Sequence, residues 1–120
     1  MPKPEQGRVI LATVFDPQGR NPKTRPAVII SETTQIQADG RIACVAITSS
    51  VPDEIPDDFV LLPFQPQGKV RTGLRMRSAA MCSWLFEISE DKIEKYVGLV
   101  PTQLMKEIIE RAEGRNPDTQ

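Results

Sequence analysis

The sequence predicts a mainly β domain, a small barrel followed by one C-terminal α-helix. Two features of the 120-residue chain carry this prediction. Short segments rich in β-branched residues recur along most of the chain, with Gly, Pro, Asn or Asp between most of them. Their nearly continuous apolar character indicates strands that are covered on both faces, as in a small closed barrel.

In chain order, the predicted strands are RVILATVF (8–15), AVIIS (27–31), RIACVAIT (41–48), FVLLP (59–63) and AAMCSWLFEI (79–88). In the last of them, alternation places four side chains on one face, which we interpret as core: Cys82, Trp84, Phe86 and Ile88. The connecting segments 16–26 and 65–73 are long and rich in turn-forming residues, and loops of this length usually carry function.

The pattern changes after residue 88. A capping serine followed by acidic residues predicts a short helical turn at 89–92, and a last strand is expected at 95–100. Apolar residues at three-to-four spacing then predict a helix that opens at Pro101 and ends at Gly114. We therefore expect a flexible N-terminus at residues 1–6, a single domain at 7–113 and a frayed tail at 114–120.

The composition is typical of a globular domain, with 15 basic and 16 acidic side chains and 39% hydrophobic residues. No run approaches the roughly 18 apolar residues that a membrane span requires, so no membrane role is expected. Because the first residues lack the apolar core of a secretory signal, we expect a cytoplasmic protein. Cys44 and Cys82 each lie among apolar residues and are expected to be buried, reduced thiols.

The chain contains no histidine and only two cysteines, which removes several classes of site. Hydrolases of the Ser-His-Asp or Cys-His type and thiolate zinc sites are excluded. Any chemistry must therefore use Arg, Lys, carboxylate or hydroxyl groups. These groups are suited to stabilising the charge of an anion such as phosphate. We expect no metal and no cofactor: the acidic group at 53–58 matches no cation-binding loop, and its prolines indicate a solvated turn.

The charges are distributed in blocks. Residues 1–30 and 68–80 are basic, 31–67 are acidic, and 81–120 are weakly acidic. Two interpretations stay open at this point. Either all the blocks are solvated loops, or the two basic blocks meet in space and bind a polyanion.

Several segments occur in an order typical of one protein family. They are Gly-x-Val-Ile at the start of 7–14, Arg-Pro-Ala-Val-Ile-Ile-Ser at 25–31, Val-Ala-Ile-Thr-Ser at 45–49, Gly-Leu at 73–74, the strand 78–86, the turn 89–92 and Val-Gly at 97–98. This series covers nearly the whole chain and resembles the MazF/PemK toxin family.

The resemblance implies a fold and an activity. It implies an SH3-like barrel with a C-terminal helix, a homodimer, and the toxin of a type II toxin–antitoxin module. The toxin would be a metal-independent endoribonuclease that cleaves single-stranded RNA through attack of the ribose 2′-hydroxyl, leaving a cyclic phosphate. A small antitoxin would neutralise it, and DNA binding would occur through the antitoxin complex.

The resemblance also implies site residues. Arg25 matches the arginine that contacts the scissile phosphate and assists proton transfer, and Thr48 matches the hydroxyl residue that hydrogen-bonds the same phosphate. A planar guanidinium and a hydroxyl are suitable donors for a phosphoryl dianion. The expected RNA-binding residues are Arg20, Lys23, Ser49, Lys69, Arg71, Arg75 and Arg77.

Some positions depart from the family pattern. Met81 and Ser83 stand where some relatives carry an Arg-x-Asp pair, and Leu99 stands where an arginine is common after Val-Gly. Asp16 is the carboxylate nearest in sequence to Arg25, but an Asp before Pro17 is more typical of a turn. These departures keep an alternative open: a catalytically weakened member that binds RNA or a protein partner without cleaving.

Overall fold

The computed structural model describes residues 3–16 and 18–114. Its elements are β1 (Arg8–Val14), β2 (Lys23–Ile29), α1 (Thr33–Asp39), β3 (Ile42–Thr48), β4 (Phe59–Leu62), β5 (Ser78–Ile88), a 3₁₀ turn (Glu90–Lys92), β6 (Ile93–Leu99) and α2 (Thr102–Gly114). The strands form one sheet in the order β4-β5-β3-β2-β1-β6, and each neighbouring pair is antiparallel. The predicted fold class, mainly β with a C-terminal helix, is confirmed. The predicted frayed tail lies, from residue 115 on, outside the described residues.

Two elements differ from the prediction by more than two residues. Strand β2 begins at Lys23 instead of 27, because its polar first residues pair with the end of β1, as in the pair Thr13 and Thr24. Helix α1 is absent from the sequence-based prediction. It buries only Ile36, so its sequence carries no apolar stripe, and it ends at Gly40 in a left-handed conformation with φ of 74°.

The three central strands bury both of their faces. Alternate residues of β1, β2 and β3 join a cluster that we call the barrel core, formed by Ile10, Ala12, Ala27, Ile29, Ile36, Ile42 and Cys44, with Phe86, Ile88, Ile93 and Tyr96 packed against it. The residues between them join the helix core, which includes Val9, Val28, Val45 and, from α2, Met105, Ile108 and Ala112. Side chains from β1, β2, β3, β5 and β6 can share one cluster only if the sheet curls, which agrees with the predicted strands covered on both faces.

An irregularity in β5 sets the direction of its side chains. Ala46 of β3 pairs with Met81, but the next residue, Val45, pairs with Leu85, so that residues 82–84 are inserted in a bulge. Cys82 therefore packs in the helix core, whereas Phe86 packs against the barrel core. The expectation that Cys82, Trp84, Phe86 and Ile88 share one core face is wrong for this reason.

The segment 65–74 is fixed to β6. The backbone N–H of Leu99 donates to the carbonyl oxygen of Arg71 at 2.8 Å. The hydroxyl of Thr72, which is fully buried, donates to the carbonyl oxygen of Pro63 at 2.7 Å. This loop is therefore an anchored part of the fold.

The cysteines agree with the sequence expectation. Cys44 and Cys82 are buried thiols, and burial raises the pKa of Cys44 to about 12, which makes its thiolate inaccessible at neutral pH. Among the described residues, neither helix has the length and apolar character needed to cross a membrane.

Candidate active site

Arg25 and Thr48 lie on neighbouring strands and on one face of the sheet. Ala27 of β2 pairs with Ala46 of β3, and continuing this register by two residues brings Arg25 opposite Thr48. Because side chains alternate along a strand, both point to the face that holds the barrel core, just beyond its last buried residues. We call this end of the barrel core, with Val14, Arg25, Thr48 and Trp84, the barrel mouth.

An open groove of about 720 Å³ adjoins the barrel mouth. Its walls come from the end of β1 and the first loop on one side, and from the second half of β5 on the other, with Phe15, Trp84 and Phe86 among the lining residues. The guanidinium carbon of Arg25 lies 5.6 Å from the centre of the Trp84 ring. A permanent cation is therefore stacked on an aromatic wall at the rim of the groove.

Thr48 is oriented by its own loop. Its hydroxyl oxygen accepts the backbone N–H of Ser50 at 3.0 Å. This bond uses a lone pair and leaves the hydroxyl proton available to a ligand, so Thr48 can act as a donor. Ser49, predicted to bind RNA, is exposed next to it.

The first loop is organised around Asp16. One carboxylate oxygen accepts the backbone N–H groups of Gln18 and Arg20, at 3.0 and 2.7 Å, and the other accepts the side-chain amide of Asn21 at 2.9 Å. Asn21 has a φ of 54°, a left-handed conformation that asparagine tolerates well. Asp16 therefore shapes the turn, as its sequence context indicates. The exposed side chain of Arg20 extends from this loop, and that of Lys23 extends from the start of β2.

The loop should depend on pH. The backbone N–H of Arg20, together with Asn21 and Gln18, lowers the pKa of Asp16, while desolvation opposes this shift. Because the folded pKa is below its ordinary value, the carboxylate bonds stabilise the loop above the ordinary pKa and are lost as the pH falls through the lowered one. An NMR titration should show a lowered Asp16 pKa. The protection of the Gln18 and Arg20 amides, measured relative to their intrinsic exchange rates, should fall in acid. An Asp16 pKa at or above its ordinary value would contradict this.

The basic residues of the second block, 68–80, do not lie together. Arg77 directly precedes β5, whose residue Ala79 pairs with Thr48, so Arg77 lies at the barrel-mouth end of the sheet. Arg75 lines a separate cavity of about 380 Å³ on the other side, together with Lys95.

Lys69 and Arg71 lie farther from the groove. Their segment is hydrogen-bonded to Leu99, the last residue of β6. Lys92, which lines the groove, directly precedes the first residue of β6. At the rise of a β-strand, these two ends are roughly 20 Å apart. The structure therefore does not bring the whole block 68–80 onto the groove.

The positions that depart from the family pattern have different surroundings. Met81 pairs with Ala46, so it shares the face of Arg25 and Thr48 and is half-buried there. The hydroxyl of Ser83 donates to a carboxylate oxygen of Asp58 at 2.6 Å. The apolar side chain of Met81 is thus present on the face that carries Arg25 and Thr48. The carboxylate of Asp58, from the turn before β4, lies beside Ser83.

The acidic segment 53–58 has structural contacts. Asp58 accepts from Ser83, and the carbonyl oxygens of Asp57 and Phe59 accept the guanidinium of Arg111 at 3.1 and 2.7 Å. Within residues 3–16 and 18–114, no three carboxylate, thiol or imidazole groups converge as metal ligands.

Trp84 and Lys92 are the groove residues that the sequence reasoning misses. Strand alternation assigns Trp84 to the core, and its actual position at the mouth results from the bulge at 82–84, which no local sequence signal predicts. The sequence pattern around Lys92 indicates only a helical turn. Its position in the groove depends on the curl of the sheet, although a basic residue after a strand end is a visible sign.

Comparisons with known proteins show the family of this chain. A profile described as "PemK-like, MazF-like toxin of type II toxin-antitoxin system" matches residues 5–113. The chain belongs to this family. A comparison with curated proteins gave no match.

Solved structures of family members share the fold. The "Crystal structure of MazF (Form-I) from Deinococcus radiodurans" superimposes with a TM-score of 0.71 at 15% identity, covering 96% of this chain and 97% of that one. An "Endoribonuclease in complex with its cognate antitoxin from Mycobacterial species" gives 0.69 at 15% identity, with 93% of each chain covered. The "Mycobacterium tuberculosis toxin MazF-mt6" gives 0.64 at 16% identity, covering 89% of this chain and 93% of that one. At such identities the likeness concerns the fold.

Proposed function

We propose that this toxin is an endoribonuclease that cleaves single-stranded RNA without a metal ion, with Arg25 and Thr48 as its catalytic residues. The observation that carries the proposal is the placement of both side chains on one face at the barrel mouth, with Arg25 at the rim of an open groove. A cation at the rim of a groove and a hydroxyl donor on the same face of the sheet suit the recognition of a phosphodiester.

The proposed reaction needs no metal ion. The ribose 2′-oxygen forms a bond to phosphorus and the bond from phosphorus to the 5′-oxygen breaks. The 2′-hydroxyl proton passes to water, and the departing 5′-oxygen takes a proton from water. The products are a 2′,3′-cyclic phosphate and a 5′-hydroxyl. Arg25 and Thr48 donate hydrogen bonds to the phosphoryl oxygens, where negative charge grows in the transition state. An arginine alone is a poor general base, since its pKa is too high.

We also propose a homodimer that acts in the cytoplasm and is neutralised by a small antitoxin. Large hydrophobic side chains are exposed along β4 and before β5, among them Leu61, Phe64 and Met76, and a second copy would cover such a surface. Light scattering at micromolar concentration should give twice the 13.4 kDa of one chain. A mass of a single chain at high concentration would refute the dimer.

The positions of the basic residues predict which of them bind RNA. Replacing Arg20 and Lys23 by alanine should flatten the dependence of RNA affinity on salt, by about 0.7 in the log–log slope for each phosphate that is no longer neutralised. The matched double variant at Lys69 and Arg71 should change this slope less, because both lie away from the groove. The salt dependence of oligonucleotide binding measures both. A larger change in the Lys69 and Arg71 variant would place the RNA elsewhere.

Because Met81 stands where some relatives carry an arginine, we expect only modest RNA cleavage. The same residue supports a second candidate function, RNA binding without cleavage. Because Met81 shares the face of Arg25 and Thr48, Met81→Arg should add a cation there and raise RNA cleavage severalfold. Ser83→Asp should not help, since the new carboxylate would stand beside Asp58. Initial cleavage rates of both variants test this. Unchanged cleavage in Met81→Arg would mean that position 81 does not reach the phosphate.

Expression in cells tests the proposed function as a whole. Induction of the wild type should arrest growth and leave messenger RNA cleaved while ribosomal RNA stays intact, and the Arg25→Ala variant should do neither. Growth arrest with intact messenger RNA would instead support the binding function. A short neighbouring reading frame for a small protein with an acidic tail would support the toxin–antitoxin pair under either mechanism.

A further inference from the structure

Trp84 holds an unusual position for a tryptophan. It is the chain's only one, and it is half-buried at the bulge of β5, where the strand turns from the helix core to the barrel core. In the described part of the chain it belongs to neither core, although Phe86 and Ile88 farther along β5 pack against the barrel core. Its indole therefore serves as a wall of the groove more than as packing.

The surroundings of this indole are aromatic and cationic. Phe15, which is 51% exposed, lies in the facing wall of the groove, and Arg25 stacks on the ring at 5.6 Å. Lys92 stands in the same groove. Of the two acidic lining residues, Asp16 is occupied by hydrogen bonds of its own loop, and Glu87 is exposed and alternates with Phe86.

A nucleobase has the complementary chemistry. Every base has an aromatic face that stacks on indole, and the phosphate attached to the same nucleotide carries the charge that Arg25 and Lys92 attract. An apolar protein side chain would fill the groove but would leave these cations without anionic partners. The groove volume, about 720 Å³, also leaves room for a base beside the ring.

We infer that Trp84 is a stacking platform for a nucleobase of the RNA, next to the phosphate that Arg25 holds. This inference rests on the proposed function and assigns the part of that site that reads an unpaired nucleotide. Bases in a duplex are already stacked and paired, so the platform selects single-stranded RNA. Stacking accepts any base, so Trp84 fixes the position of the strand more than its sequence.

The single tryptophan makes the test direct. Short homopolymers of 2′-O-methyl adenosine, cytidine or uridine lack the attacking hydroxyl, and they bind without being cleaved. Added to the wild type, they should quench Trp84 fluorescence, whereas a strand of equal length without bases should not. In anisotropy titrations with labelled strands, Trp84→Leu should weaken binding of the homopolymers on the order of tenfold and should abolish the preference for strands with bases.

Tyr96→Leu provides the matched control. Tyr96 is also a half-buried aromatic residue, but it lies on β6 against the barrel core and outside the groove. This variant should keep both the affinity and the preference for bases. If Trp84→Leu lowers stability, the comparison of fluorescence quenching in the wild type still decides the matter.

The outcomes separate this inference from the proposed function. If the wild type cleaves RNA but the strands with and without bases quench Trp84 equally, the stacking platform is refuted and the endoribonuclease stands. If the homopolymers quench Trp84 but no RNA is cleaved, the platform stands and the catalytic function falls. Failure of all homopolymers to bind, or an unchanged preference for bases in Trp84→Leu, also overturns the platform.

Discussion

Arg25→Ala should abolish RNA cleavage, with a loss of about 10²–10³-fold or more in the rate, while the fold stays intact. Arg25 lies at the polar start of β2, half-buried, and its guanidinium stacks on Trp84 instead of packing in a core. The variant therefore removes the cation at the phosphate and little apolar packing. Single-turnover cleavage of a long single-stranded RNA measures the loss, and the melting temperature checks the fold.

Arg25→Lys is the matched variant, because it keeps the charge. It should remain strongly impaired, since a point charge lacks the planar pair of donors that fits a phosphoryl group and stacks less well on indole. Thr48→Val should cost less, on the order of 2 kcal/mol, as it removes one hydrogen bond to the phosphate. Cleavage at the wild-type rate in Arg25→Ala would refute the assignment of the site.

Gly98→Ala should unfold the protein or destabilise it by about 3 kcal/mol or more. A Cβ atom at Gly98 would lie 2.2 Å from the carbonyl oxygen of Arg71 and 2.4 Å from the carbonyl carbon of Thr72. Both are backbone atoms of the anchored loop 65–74, and the neighbouring Leu99 N–H bonds to the same carbonyl. No side chain can rotate away to relieve the clash. Urea unfolding followed by circular dichroism measures the effect.

Gly40→Ala separates this clash from the general cost of replacing glycine. Gly40 has a φ of 74°, and a Cβ atom there would meet no atom within 4 Å. Only the left-handed backbone conformation is penalised, at about 1–2 kcal/mol. A stability of Gly98→Ala equal to that of Gly40→Ala would show that the loop does not press against β6.

The part of the fold that the sequence predicts is the part set by local apolar patterns. Strands β1 and β3 and the first half of β5 consist mostly of buried residues, such as Val9 and Ile10 in β1. Helix α2 has a stripe of buried residues that includes Ile108, so each of these elements carries its own apolar signal. Helix α1 and the start of β2 carry none. They exist because Ile36 reaches the barrel core and because Lys23 to Arg25 pair with β1.

The candidate site divides in the same way. Arg25 and Thr48 can be found because their neighbours in sequence match a family pattern, and the register then places them on one face. The groove cannot be predicted, since it arises from the bulge at 82–84 and from the curl that brings β5 toward the first loop. For the same reason Trp84, which the sequence assigns to the core, lines the groove, and Lys69 lies away from the groove.

The most direct test of the proposed function is incubation of the pure protein with a long single-stranded RNA in excess EDTA, followed by analysis of the new RNA ends. The mechanism through Arg25 and Thr48 predicts cleavage in the presence of the chelator, with 2′,3′-cyclic phosphate and 5′-hydroxyl ends, and no cleavage by Arg25→Ala under the same conditions. An RNA that stays intact with the wild type, or cleavage that EDTA abolishes, would contradict the proposed metal-independent endoribonuclease.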